Sequence, residues 1–176
     1  YSLDGSSWSQ LGSDIDGEAA GDYSGVSVSL DSDGDRVAIG GYFNDGSYSD
    51  AGHVRIYEYS GGTWSRLGSD IDGEAAGDQS GVSVSLDSDG DRVAIGAYNN
   101  DGNGSDAGHV RVYSWDGSSW NQLGNDIDGE AAGDKSGISV SLDSDGDRVA
   151  IGAHYNDGSY SDAGHSKRLC LKSCVS

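Results

Sequence analysis

The feature that most constrains this chain is a repeat of 56 residues that runs through it without insertion or deletion. Trp8, Trp64 and Trp120 are one period apart, and segment 15–56 differs from segment 71–112 at six of 42 positions. A fixed period of roughly this length is typical of solenoids, propellers and arrays, in which each repeat buries its apolar face only against its neighbours. The chain is therefore expected to be a row of similar units.

Composition narrows the class of fold and the class of partner. Hydrophobic residues make up 34% of the chain and occur in short alternating runs, which predict β-strands and not helices, so the fold class is all-β. The net charge of −20 argues against binding to nucleic acid or to anionic lipid, because both require a basic surface. The sequence contains no run of 18 apolar residues that could span a membrane.

Each repeat contains a predicted β-hairpin. In the first repeat, segments 26–30 and 36–40 alternate with period two and are joined around Asp33-Gly34, a pair typical of a two-residue type I′ turn. That turn places Leu30 opposite Val37 and fixes the register of the two strands. The register gives the sheet one face of Val, Leu and Ile and one face of Ser, Ala and Gly.

The unlike faces predict that sheets stack, with the bulky side of one sheet packing into the shallow side of the next. The same register places Asp31 opposite Arg36, which predicts a cross-strand ion pair of roughly 0.2–1 kcal/mol. Two further strands are predicted at 53–59 and 63–67, separated by the loop at 41–52. Four short antiparallel strands in 56 residues describe one blade of a β-propeller.

Three segments of the first repeat resemble the FG-GAP repeat. They are Ser24-Gly-Val-Ser-Val-Ser-Leu-Asp-Ser-Asp-Gly-Asp-Arg-Val-Ala-Ile-Gly-Gly, Gly52-His-Val-Arg-Ile-Tyr and Gly62-Thr-Trp-Ser-Arg-Leu. The resemblance recurs three times over residues 1–165, although Ser24 stands where the family has phenylalanine. It implies blades like those of integrin-α-type β-propellers and of many bacterial and marine surface proteins. The integrin calcium hairpin is three residues longer than the segment from Asp31 to Arg36.

The predicted organisation is three blades in phase at 1–56, 57–112 and 113–168, of which 1–165 follows the repeat pattern. Propellers close with about four to eight blades, so three form a partial propeller or half of a six-bladed assembly. Both ends are expected to expose a face of Val, Leu and Ile, which predicts a homo-oligomer or the remainder of a longer chain as partner. The basic tail at 166–176 breaks the pattern, and it is either a truncation or reading-frame artefact or a genuine end.

Clustered acidic residues make Ca²⁺ the one candidate cofactor. The Gly-rich loop before each first strand places carboxylates at positions one, three, five and nine, the alternative being a solvated acidic loop. The candidate metal ligands are Asp14, Asp16, Glu18, Asp22, Asp70, Asp72, Glu74, Asp78, Asp126, Asp128, Glu130 and Asp134. The hairpin aspartates Asp31, Asp33 and Asp35 have a similar spacing, but the turn accounts for them better.

Other recurring residues are assigned structural roles. His53, His109 and His165 recur at strand starts and predict a capping or inter-blade hydrogen bond, and the three tryptophans predict outer-strand packing, with a sugar platform as the alternative. No Gly-x-Ser-x-Gly nucleophile motif or phosphate loop occurs in the sequence, which favours a protein that is not an enzyme.

Segments 15–56 and 71–112 differ mainly in the long loop, and loops on a rigid scaffold are where binding residues are usually found. The candidate ligand-binding residues are Tyr42, Phe43, Asn44, Tyr48, Tyr98, Asn99, Asn100, His154, Tyr155 and Tyr160. With the family resemblance, these residues predict a non-enzymatic binding or adhesion module that is extracellular or on the cell surface. The alternatives are a lectin-type propeller, for which a glycan is the ligand in place of a protein, and a purely structural segment of a larger surface protein.

Overall fold

The computed structural model describes residues 1–158 and 160–170. Over these residues every regular element is a β-strand, no helix occurs, and the strands form four antiparallel sheets. The all-β prediction, with sheets that resemble propeller blades, is confirmed. No helix that could cross a membrane is found in the part of the chain that is described.

Three sheets follow the 56-residue period, and a two-stranded hairpin precedes them. The N-terminal hairpin consists of β1 (Ser2–Asp4) and β2 (Ser7–Ser9). Sheet 1 consists of β3 (Ser27–Leu30), β4 (Arg36–Gly41), β5 (His53–Ser60), β6 (Thr63–Arg66) and β7 (Ile71–Asp72). Sheet 2 consists of β8 (Ser83–Leu86), β9 (Arg92–Ala97), β10 (His109–Trp115), β11 (Trp120–Gln122) and β12 (Ile127–Asp128). Sheet 3 consists of β13 (Ser139–Leu142), β14 (Arg148–Ala153) and β15 (His165–Cys170).

The predicted hairpin register is confirmed, but the predicted turn type is wrong. Leu30 lies opposite Val37 in sheet 1, and the equivalent pairs form in sheets 2 and 3. A type I′ turn needs a positive φ at both central residues, and of Asp33 and Gly34 only Gly34 has one, at 71°. The Asp31 carboxylate accepts a hydrogen bond from the backbone N–H of Arg36 at 3.1 Å and stabilises this wider turn.

Successive sheets stack as the unlike faces predicted. The backbone N–H of Leu86 in sheet 2 donates to Ser29 Oγ of sheet 1 at 2.9 Å, and Ser27 Oγ donates to the carbonyl of Gly81 at 2.7 Å. The same two bonds join sheet 2 to sheet 3 one period later, from Leu142 N–H to Ser85 Oγ and from Ser83 Oγ to the Gly137 carbonyl. Small side chains of each sheet therefore lie directly against the first strand of the next.

Two apolar clusters fill the spaces between the sheets. The cluster between sheets 1 and 2 contains Ala38, Val54, Ile56, Ile71, Val84, Leu86, Val93, Ile95 and Tyr113. The cluster between sheets 2 and 3 contains Ala94, Val110, Val112, Val149 and Ile151, with Val140 and Leu142 packed against it. Each core therefore belongs to two neighbouring repeats, and no repeat has a core of its own within the described chain.

The two ends of the row are unlike, which corrects the prediction that both expose apolar faces. Val28 and Leu30 of sheet 1 are 63% and 59% exposed, whereas their sheet 2 equivalents, Val84 and Leu86, are 8% and 6% exposed. At the other end, sheet 3 exposes the small side chains of Ser139, Ser141 and Ala150. All three sheets face the same way, so the row has one apolar end and one small-residue end.

The predicted ion pair between Asp31 and Arg36 is wrong for the first repeat. Asp31 is engaged by the turn backbone, and Arg36 Nη2 instead lies 2.9 Å from Glu58 Oε1 on the neighbouring strand β5. In the third repeat the equivalent pair does form, between Arg148 Nη1 and Asp143 Oδ2 at 2.9 Å.

In the second repeat the arginine also pairs outside its own hairpin, with a residue of the next sheet. Ser114 occupies the position of the first-repeat glutamate, and Arg92 reaches forward to Asp147 of sheet 3 at 2.7 Å. The stacking of sheets thus gives Arg92 an ion-pair partner that the register of a single hairpin does not predict.

Candidate functional site

The long loop of each repeat is held by a buried Asn–Asp pair. Asn44 and Asp22 are 4% and 5% exposed, and Asn44 Nδ2 donates to Asp22 Oδ2 at 3.0 Å. Asn44 Oδ1 accepts the N–H of Gly46 at 2.8 Å, and Asp22 Oδ2 accepts the N–H of Ala19 at 3.1 Å. The pair therefore ties the acidic loop to the long loop.

The same pair recurs as Asp78 with Asn100 and as Asp134 with Asn156. Asp22, Asp78 and Asp134 were candidate calcium ligands, and Asn44 and Asn100 were candidate ligand contacts. The structure places all five in the interior, where their polar atoms already serve the loop backbone. They fix the shape of the exposed residues around them.

The acidic loops do not direct their carboxylates to one centre. Within the loop that joins sheets 1 and 2, Asp70 lies beside His53, whereas Glu74 lies beside His109, one repeat further on. Asp72 is exposed, and Asp78 belongs to the buried pair. In the first loop Asp14 accepts a hydrogen bond from Gln10, Asp16 is exposed, and Glu18 lies beside His53; in the third loop Asp128 is exposed and Glu130 pairs with Lys167. Calcium binding by these loops stays a prediction.

What the loops do create are two clusters of one histidine and two carboxylates. His53 is 3% exposed, and its Nδ1 lies 4.0 Å from both Glu18 Oε2 and Asp70 Oδ2. This nitrogen has no hydrogen-bond partner. The capping or inter-blade hydrogen bond predicted for the histidine is therefore absent at Nδ1.

The second cluster repeats the arrangement one period later. His109 is 1% exposed, and its Nδ1 lies 4.0 Å from Glu74 Oε2 and 3.8 Å from Asp126 Oδ2, again without a hydrogen-bond partner. We refer to Glu18, His53 and Asp70 as cluster A and to Glu74, His109 and Asp126 as cluster B. In each cluster the three ligand atoms lie within 4.8 Å of one another.

Arginine accompanies both clusters but is placed differently in each. In cluster A, Arg55 Nε and Nη2 donate to the two oxygens of Asp70 at 2.9 Å, and Nη2 also contacts Glu18. In cluster B, Arg111 Nη1 lies 3.3 Å from Glu74, and its Nη2 donates to the Asp72 carbonyl at 2.7 Å.

Burial in both clusters disfavours the charged form of the imidazole. Burial lowers the pKa of His53 and of His109, and the neighbouring arginine lowers each further. Burial alone would raise the pKa of Asp70, but the Arg55 guanidinium outweighs it and holds that pKa below its usual value. Each buried Nδ1 therefore faces two carboxylate groups, while burial disfavours the positive charge on the imidazole that would attract them.

Among the described residues, no complete cluster forms around the histidine of the third repeat. His165 is exposed, and Glu130 lies 3.4 Å from Lys167 Nζ. Burial of the histidine thus coincides with the presence of all three side chains.

The residues that vary between repeats meet in space. In the first repeat the rings of Tyr23, Tyr42 and Phe43 lie together, with centroids 5.9 Å apart for Tyr23 and Tyr42, 5.5 Å for Tyr23 and Phe43, and 4.2 Å for Tyr42 and Phe43. Tyr23 is 63% exposed, so this aromatic group faces solvent.

The corresponding groups in the later repeats have different chemistry. Lys135 Nζ donates to Asn99 Oδ1 at 2.5 Å and lies 5.3 Å from the Tyr98 ring centroid, and the rings of His154 and Tyr155 lie 4.0 Å apart. We refer to these three groups as the variable loop clusters. Tyr23 and Lys135 are members that the ligand-contact prediction omitted, although their variation between repeats was a usable signal. The predicted contacts Tyr48 and Tyr160 are 56% and 80% exposed on the same long loops.

The tryptophans occupy two environments. Trp64 Nε1 donates to the Leu11 carbonyl and Trp120 Nε1 to the Leu67 carbonyl, each at 2.9 Å. Each bond joins the fourth strand of one sheet to the segment that precedes it by one repeat. Trp8, in the N-terminal hairpin, is 68% exposed.

Comparison with solved structures shows a likeness in fold. A candidate 6-phosphogluconolactonase from Bacteroides uniformis has a TM-score of 0.50 at 8% identity, over 81% of this chain and 39% of that one. Hydrazine synthase from Kuenenia stuttgartiensis has a TM-score of 0.49 at 17% identity, over 82% and 45%. The periplasmic gluconolactonase of Pseudomonas aeruginosa has a TM-score of 0.47 at 14% identity, over 74% and 37%. The chain spans 37–45% of the length of these proteins.

Comparison with curated proteins gave no significant match. A family model does match, and it covers most of sheet 2 together with the acidic loop before it. Residues 71–113 match the model described as the FG-GAP repeat, which confirms at this segment the family resemblance predicted from the sequence.

Proposed function

We propose that this chain is a non-enzymatic, extracellular or cell-surface binding module that contacts its ligand through the variable loop clusters. One observation carries the proposal: loop positions that differ between the repeats, 23/79/135 and 43/99/155, include side chains that contact one another. Positions 23, 42 and 43 contact one another in the first repeat, and positions 98, 99 and 135 do so across the second and third. The first two strands of each repeat, by contrast, are nearly constant in sequence.

Rigid support is what a contact surface on loops requires. The buried Asn–Asp pair recurs unchanged under each long loop, so the backbone that presents the variable residues has the same anchor each time. Tyrosine and phenylalanine supply large contact area with few rotatable bonds, which limits the entropy lost on binding.

The three clusters favour a protein ligand over a glycan. The first is wholly aromatic, the second combines a cation with an amide and a phenol, and the third combines an imidazole with a phenol. An extended protein surface can satisfy different chemistry at successive positions. A propeller that binds one sugar type in each repeat is expected to present the same residues three times.

Other features support a module that is not an enzyme and that acts outside the cell. His53 and His109 are 3% and 1% exposed, so a substrate cannot reach the two histidines that lie beside carboxylates. The FG-GAP match supports an extracellular position, since the family contributes blades to surface proteins. The net charge of −20 favours a basic or cation-bearing partner surface.

The unlike ends of the row support self-association. Inside the chain the small-residue face of one sheet packs on Val84 and Leu86 of the next, and the same pairing recurs at Leu142. The exposed Val28 and Leu30 present an equivalent apolar face, and sheet 3 presents the complementary small face. We propose that an adjoining blade or a second copy joins these ends head to tail.

Binding can be tested with a panel of purified extracellular matrix proteins and a glycan array. We expect saturable binding to at least one protein, and loss of at least tenfold in affinity for a triple variant with Tyr42→Ser, Phe43→Ser and Tyr155→Ser. Trp8→Ser is the matched control, because it removes an exposed aromatic side chain from the N-terminal hairpin. Binding to glycans alone, or equal loss in the control, would contradict the proposal.

A further inference from the structure

We propose that clusters A and B are binding sites for a divalent transition metal of the Zn²⁺ class, two sites in each chain. The proposal does not depend on the proposed binding function. Each site offers one imidazole nitrogen and two carboxylate oxygens, which is a donor set that Zn²⁺ accepts, with water completing four-fold coordination.

The spacing of the donor atoms suits a small cation after a modest contraction. Zinc lies about 2.0–2.2 Å from nitrogen and oxygen ligands, so tetrahedral ligand atoms are roughly 3.3–3.6 Å apart. In cluster A the histidine nitrogen lies 4.0 Å from each carboxylate, and all three atoms lie within 4.8 Å. The Glu18 side chain is 45% exposed, so it has room to move toward the other two ligands.

The strongest support is the buried imidazole nitrogen. A polar atom that is buried without a hydrogen-bond partner is unusual in a folded protein, and here it occurs at the same position in two repeats. His53 and His109 are each more than nine-tenths buried, and in each the unpartnered Nδ1 points toward the two carboxylates. A metal ion bound between the carboxylates would give each buried Nδ1 the partner that it lacks within the described residues.

The ligand chemistry selects the class of metal. Ca²⁺ and Mg²⁺ prefer oxygen ligands, with six to eight for Ca²⁺ and a rigid octahedron for Mg²⁺, whereas imidazole suits Zn²⁺ and its neighbours. A site in which one donor of three is a buried imidazole nitrogen therefore discriminates against the hard cations. This distinguishes the clusters from calcium sites in the acidic loops.

The two sites should differ in affinity. In cluster A both oxygens of Asp70 already accept hydrogen bonds from Arg55, so a metal must share that carboxylate with a cation. In cluster B, Asp126 Oδ1 accepts a hydrogen bond from the neutral Gln122 at 2.6 Å. Arg111 Nη1 lies 3.3 Å from Glu74, which is farther than Arg55 lies from Glu18 in cluster A. Less competition from arginine should make cluster B the tighter site.

Isothermal titration of the full chain with ZnCl₂, after treatment with a chelator, tests the proposal. We expect two Zn²⁺ per chain, with Glu18→Gln and Glu74→Gln each reducing the number to one and the double variant binding none. Glu130→Gln is the matched control, because it changes the equivalent glutamate of the third loop, and no complete cluster forms there among the described residues. All three glutamates are at least 45% exposed, so the substitutions leave the core intact.

A second readout separates the clusters from adventitious surface carboxylates. On addition of Zn²⁺ the ¹⁵N signals of the His53 and His109 Nδ1 atoms should shift, while those of His154 and His165 should not. The proposal is overturned if Zn²⁺ does not bind, if the number bound is the same in the glutamine variants, or if the buried imidazole signals do not move. Equal binding of Ca²⁺ that is lost in the same variants would also overturn it.

Discussion

Gly96 is the position where one added methyl group should most disturb the stacking of the sheets. It lies on β9, and a Cβ atom there would overlap the Gly137 carbonyl of sheet 3 and lie 2.9 Å from the Gly137 carbonyl carbon. Backbone atoms cannot rotate out of the way, so sheets 2 and 3 must move apart. Gly96→Ala should therefore weaken the interface and not only the strand.

The magnitude follows from what that movement breaks. The hydrogen bonds from Ser83 Oγ to the Gly137 carbonyl and from Leu142 N–H to Ser85 Oγ both cross the interface, and each contributes about 1 kcal/mol. Overpacking adds about 1–3 kcal/mol. We expect Gly96→Ala to lower the free energy of unfolding by about 3–5 kcal/mol.

Gly152 provides the matched control. It is the equivalent residue in sheet 3, where a Cβ atom would overlap only the Ser139 hydroxyl of its own sheet, which can rotate away. Gly152→Ala should therefore change the stability by less than about 1 kcal/mol. Urea unfolding followed by tryptophan fluorescence and by circular dichroism measures both variants. Equal effects of the two substitutions would refute the stacking argument.

Three further predictions concern other parts of the molecule. Burial raises the pKa of Asp87 to about 6, so the folded protein loses stability as pH rises from about 4 through 6. Asp87→Asn avoids this loss, and in pH-dependent urea unfolding its free energy of unfolding at pH 7 should exceed that of wild type by up to about 3 kcal/mol. A pH-independent difference would contradict this. Trp120→Phe should cost about 1 kcal/mol, because it removes the hydrogen bond to the preceding repeat, whereas Trp8→Phe should cost nothing measurable in the same assay. Replacing both Val28 and Leu30 by Ser should reduce self-association in sedimentation, and an unchanged association constant would exclude that end as the interface.

The period and the alternating runs were sufficient to predict the sheets, because both depend on local pattern. The pairing of Leu30 with Val37 followed from the spacing of the two strands and was correct. The turn type was not predicted correctly, because the Asp31 carboxylate stabilises a wider loop in which only Gly34 has a positive φ. The unlike ends also followed from the two-faced hairpin, but that consequence was missed.

The side-chain clusters could not be predicted from local spacing. Glu18, His53 and Asp70 come from two loops and a strand start that are up to 52 residues apart, and only stacking of the repeats brings them together. A possible signal was that all three recur one period later, as the candidates in cluster B do. The same limitation applies to Arg36, whose partner Glu58 lies on a strand that the hairpin argument did not include.

Amide hydrogen exchange at three equivalent leucines tests most directly the claim that each repeat is completed by its neighbour. The N–H of Leu86 donates to Ser29 Oγ and that of Leu142 to Ser85 Oγ, both across an interface between sheets. Leu30 occupies the same position in sheet 1, where the described residues place no serine hydroxyl against its N–H, and its side chain is 59% exposed. We predict strong protection at Leu86 and Leu142 and rapid exchange at Leu30. Equal protection at all three amides, or rapid exchange at all three, would contradict the stacked arrangement.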